Sequence, residues 1–138
     1  MEVIVASGAT DHVAAREGIP GYEVTESPGS RAGRHYTGAS GHRIINEGQA
    51  SILMAIPAGE GKSSDVKSTL QIANVTRPLL SVSRICANDM SVLFKKDHAL
   101  ILDAQDKVVG RFEQKNGLYV ATMQVRNPKA QGFQGRDR

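Results

Sequence analysis

The chain has a single cysteine, Cys86, and no tryptophan. One thiol excludes an internal disulfide framework and a multi-thiolate zinc site, and suits a reducing compartment. Aromatic residues are scarce: three phenylalanines and three tyrosines, scattered along the chain. That removes the rows of stacking rings on which single-stranded nucleic-acid binders depend. No apolar run approaches the roughly twenty residues that span a bilayer, and no charged-then-apolar leader opens the chain. Charge of neither sign dominates. The net charge is +3, and much of the excess falls in Arg126, Lys129, Arg136 and Arg138. No membrane partner is expected, and a nucleic-acid partner is disfavoured.

What is present points to β structure. The 138 residues are enough for one domain with a real core. Val, Ile, Ser and Thr recur in short runs between glycine-rich turns. Met1 directly precedes a strand, which suits a domain cut from a longer chain. The organising stretch is Val3-Ile4-Val5 running into Ala6-Ser7-Gly8-Ala9-Thr10. Small residues there leave the backbone of the turn uncovered.

Further strands are expected over Tyr22–Glu26, His35–Thr37, His42–Ile45, Gln49–Ile56, Val66–Val75, Ser91–Phe94, Ala99–Leu102, Val108–Phe112 and Leu118–Val125. Gly38-Ala39-Ser40-Gly41 suits a tight hairpin tip, and Asn116-Gly117 is a strong hairpin signal. The polar stretches 27–33 and 57–64 read as loops. Ser83 to Asn88 fits one brief helix, capped by Ser81 or Ser83, with Ile85 and Cys86 facing inward. Residues 126–138 lack periodicity and read as a basic, disordered tail after a domain of residues 1–125. The sum is an all-β, barrel-like domain with one short helix.

Most isolated motifs dissolve on inspection. Gly61-Lys62-Ser63 suggests a phosphate loop, but Ile56 stands where that motif needs glycine. His12, His35, His42 and His98 have no metal-ligand spacing and read as solvated or locally bonded. Asn74-Val75-Thr76 matches a glycosylation acceptor but falls in an expected strand. Ser7 has no base at a defining distance, and its flanks are not those of a nucleophile elbow. No two carboxylates are spaced as a catalytic dyad. No metal or cofactor is expected.

The segments together carry a resemblance. Val5-Ala6-Ser7-Gly8-Ala9-Thr10-Asp11-His12 resembles the Asp-Ser-Gly-Ala-Thr-x-His signature of retropepsin-like aspartic proteases from copia-type retrotransposon polyproteins. Pro78-Leu79-Leu80-Ser81-Val82-Ser83-Arg84-Ile85 resembles the group's second, Leu-Leu-Ser-Val-Ser segment. Thr37 to Ile45 occupies the place of the flap hairpin, and Asn116-Gly117-Leu118-Tyr119 resembles a Gly-Leu-Tyr element that follows the protease. The similarity covers about residues 3 to 122.

The resemblance implies a closed barrel with a flap, working as a two-fold homodimer on an extended peptide or polyprotein. It implies a cytoplasmic location or one within retroelement particles. It assigns Ala6, Ser7 and Gly8 to the catalytic turn. Ala9, Thr10, Gly38, Ala39, Ser40, Gly41, His42, Leu80 and Ser81 would meet the substrate. In the family the position of Ala6 is the catalytic aspartate, one from each subunit. Ala6 therefore removes both carboxylates of the dimer, and the chain as written is expected to be inactive. Intact flanks favour a substitution by design over natural decay. The alternative is a non-catalytic peptide-binding or dimerisation module. A small nucleic-acid-binding barrel ranks last.

Overall fold

Short β-branched runs become strands where alternate side chains can reach one core. In the computed structural model, which describes residues 1–38 and 40–128, most of them do. Ala39 and the tail from 129 onward, both subjects of expectations above, lie outside the described residues.

β1 (Glu2–Ala6) is followed by the two-residue β2 (Val13–Ala14), a 3₁₀ turn at Arg16–Gly18 and the four-residue helix α1 (Pro28–Arg31). The hairpin β3 (His35–Thr37) and β4 (Arg43–Ile45) comes next. Then come the long β5 (Gly48–Gly59) and β6 (Lys62–Ile72), β7 (Leu79–Ser81) and helix α2 (Val82–Ala87). The chain continues as β8 (Ser91–Phe94), β9 (His98–Leu102), β10 (Val108–Lys115), β11 (Leu118–Thr122) and β12 (Gln124–Val125).

Ten strands form one sheet in the order β12-β5-β6-β2-β7-β1-β11-β10-β9-β8, and β3-β4 stands apart. β1 lies inside the sheet, parallel to β7 and antiparallel to β11. Val3 and Val5 face a shared core with Ile52, Met54, Leu70 and Phe112. β5 is buried continuously from Ile52 to Ile56, so its middle is covered on both faces.

The fold is all-β, but the ladder does not close. Among the described residues β8 pairs only with β9, and β12 only with β5. The sheet instead doubles over, so that β10 packs across β5. A Cβ built at Gly110 would sit 3.0 Å from Ile56 Cγ2. Face-to-face packing of the sheet on itself buries the core without joining its two edges.

Several local expectations also change. The 57–64 loop is instead the continuation of the β5–β6 ladder, turning at Glu60-Gly61. A register shift between Pro57 and Gly59 accommodates the proline, which has no N–H to donate. Residues 27–33 hold α1, capped reciprocally by Ser27 and Ser30. Tyr22–Glu26 makes only one bridge, Thr25 to Gln49. α2 begins one residue early, with Ser81 as its cap. Ile85 is buried as expected, but Cys86 is exposed, because so short a helix turns only one side to the core. Arg126, assigned to the tail, is docked: its N–H donates to Leu53 O at 2.9 Å and its guanidinium meets Asp65 at 3.2 Å. The Asn116-Gly117 turn is found, with φ of 52° and 82°, the left-handed pair such a two-residue turn requires.

Candidate functional site

The site grows from the end of β1. Ala6 is the last residue of the strand and lies opposite Ser81 of β7. Ser7 and Gly8 then turn out of the sheet, both exposed. The turn is pinned from beneath. Ser81 Oγ donates to Ala9 O at 2.7 Å and accepts from Arg84 N–H at 3.3 Å. It also meets Ser83 Oγ at 3.0 Å. A hydroxyl with no exposed surface and three partners is structural machinery. Ser81 N–H donates to His12 Nδ1 at 2.9 Å. His12 is therefore the tautomer protonated on Nε2. Burial, aided by Arg84 and opposed by Asp11, pushes its pKa down to about 4.

The hairpin forms the opposite side. Tyr36 pairs with Ile44 and Thr37 with Arg43. The tip is tied by Gly38 N–H to His42 O and Gly41 N–H to Gly38 O, each 2.9 Å, and by a contact of Ser40 Oγ with His42 Nδ1. A side chain at Gly38 would run into the His42 ring. The base is anchored by Asn46, whose side chain is buried. It donates to Gln71 Oε1 at 3.0 Å and Tyr36 Oη at 3.4 Å, and accepts from Gly48 N–H at 2.9 Å. Tyr36 Oη donates to Asp11 Oδ2 at 3.1 Å, joining hairpin to turn. Burial and the neighbouring Asp11 charge push the Tyr36 phenol well above its ordinary pKa.

Between turn and hairpin lies a cleft of about 830 Å³. Ala6, Gly8, Ala9, Thr10, Gly38, Ser40 and His42 line it, so most of the expected site residues converge. Ser7 and Gly41 do not line it. Leu80 and Ser81, expected at the substrate, are buried beneath the floor, where they support the turn. Ile44 adds to the hairpin side, and Val75, Arg77 and Leu79 add a third wall that motif reasoning did not anticipate.

Asp11 is the only carboxylate among the described lining residues. It is engaged by Arg84 Nη2 at 2.6 Å and Nε at 3.1 Å, besides Tyr36. A carboxylate so occupied is not free to move protons at Ala6. Among the described residues no cluster of His, Cys, Asp and Glu could hold a metal. A second recess, about 530 Å³ and polar, lies beyond Asp11 and Tyr36.

The Asp11–Arg84–Tyr36 link joins residues far apart in the chain, and no local signal foretold it. The same holds for His12, whose partner Ser81 is 69 residues away. No family model, curated protein or solved structure matches this chain. No helix among the described residues is long and apolar enough to cross a membrane.

Proposed function

We propose that the chain is the subunit of a retropepsin-like aspartic endopeptidase that processes a retroelement polyprotein, silenced at Ala6. In this reading two chains form a homodimer around one peptide-binding cleft. With aspartate restored, one carboxyl is protonated and its partner ionised, because two negative charges so close cannot coexist. The ionised one takes a proton from water as the oxygen attacks the peptide carbonyl. The protonated one polarises that carbonyl, and a proton later passes to the leaving amine.

One observation carries the reading. Ala6 ends a central buried strand at the floor of a cleft, in a turn held by a buried serine, beneath a hairpin tied to that turn. That is a platform for presenting a short side chain to an extended peptide. A second reading, a peptide-binding or dimerisation module without chemistry, is favoured by a different observation. The lone carboxylate among the described residues of the cleft is already paired.

Ala6→Asp separates the two. The variant should hydrolyse peptides at mildly acidic pH, and a statine-type inhibitor should stop it. An assembled Ala6→Asp dimer that binds peptides and never cleaves them leaves only the second reading.

A further inference from the structure

The cleft and the polar recess adjoin. Thr10, Asp11, His35 and Tyr36 line both. Their chemistry differs. The cleft is walled largely by Val13, Ile44, Val75 and Leu79, with Arg77 beside them. The recess is walled by amides and hydroxyls, such as Asn46, Gln49 and Ser68, and by the guanidiniums of Arg34 and Arg84.

Charge in the recess is not balanced. Its one carboxylate among the described residues, Asp11, is neutralised by Arg84 at 2.6 Å. Arg34 is exposed, and its side chain makes no hydrogen bond or ion pair among the described residues. Its backbone is held at both ends: Arg34 N–H donates to Gly29 O at 2.9 Å, and Arg34 O accepts from Asn46 N–H at 3.1 Å. A spare guanidinium on a fixed backbone, beside a polar recess, suits a carboxylate.

We infer that the recess is an acidic-residue subsite of the cleft. An extended peptide fills the cleft with apolar side chains and sets an aspartate or glutamate of one flank against Arg34. This rests on the peptide-cleft reading above, but not on catalysis.

Binding by the chain as it stands tests it. The probes are fluorescent peptides with one common apolar centre and Glu, Ser or Lys scanned along each flank, titrated at low salt. At one flank position Glu should bind about tenfold tighter than Lys. Arg34→Gln should erase that preference and Arg34→Glu invert it. Lys62→Glu, at the far end of the β5–β6 hairpin, makes the same change in net charge and should leave the order intact. Equal binding of Glu and Lys peptides at every position overturns the subsite and leaves the peptide cleft standing. So does an unchanged preference in Arg34→Glu. Failure of every peptide to bind overturns both.

Discussion

The floor and the roof of the cleft are held by different means. The floor is a parallel pair, β1 with β7, inside a ten-stranded sheet, with Val3 and Ser81 fully buried. The roof is a two-stranded hairpin outside that sheet, with Ile45 67% exposed. Two strands alone bury too little to be stable in water. The roof keeps its place through Asn46 at its base and the Tyr36–Asp11 bond, the one side-chain bond from roof to floor among the described residues. With a fixed floor and a tethered roof, the hairpin can shift without disturbing the residues beneath Ala6.

That contrast can be broken first at His12. The folded chain binds the proton on this buried imidazole only near pH 4, whereas its ordinary pKa is 6.5. Between those values the unfolded state holds more protons, so stability falls as pH falls. The contribution is complete above pH 6.5 and is lost by about pH 4, on the order of 3 kcal/mol in all. Urea midpoints across that window measure it. His12→Asn keeps an acceptor for Ser81 N–H and cannot titrate, so its curve should be flatter. Parallel curves for the two proteins would rule out this role. Cleavage assays of Ala6→Asp belong in the upper part of the same window, where the floor is intact.

Ser81→Ala should come next, costing about 2 kcal/mol. It strips Ala9 O of a buried donor and α2 of its cap. A midpoint unchanged from the parent would show that the turn holds itself.

Tyr36→Phe should have the smallest effect on global stability, about 1 kcal/mol or less, because the tether to Asp11 is lost with one long bond from Asn46, which keeps its bond to Gln71. Its mark should be local. Amide exchange at Gly38 and Gly41 should quicken several-fold while β1 and β7 stay protected. Equal quickening in floor and roof would mean that the two are one cooperative unit.

Legibility followed the range of the interactions. Asn116-Gly117 was readable because its left-handed backbone is a property of two neighbouring residues. Ser81 was readable as a cap because its partner Arg84 is three residues on. The 57–64 ladder was not, since Pro-Ala-Gly-Glu-Gly has every local mark of a loop and only pairing between β5 and β6 makes it strand. α1 was hidden because serine, not glutamate or glutamine, completes its capping box. Cys86 misled because an apolar residue beside Ile85 is inward only if the helix is long enough to be flanked.

The sequence by itself determined an all-β chain and the exposed small-residue turn after β1, with Ala6 at its head, since each depends on residue type and near neighbours. Tertiary structure alone decided that the ladder stays open and that Leu80 and Ser81 support the floor. It also decided that Asp11, Arg84 and Tyr36 meet at the edge of two recesses. Asp11 and Arg84 lie 73 residues apart, and their contact exists only because β1 and β7 pair side by side. Local sequence carries torsional preference and polarity. Which distant partner satisfies a charged side chain is settled only when the sheet assembles.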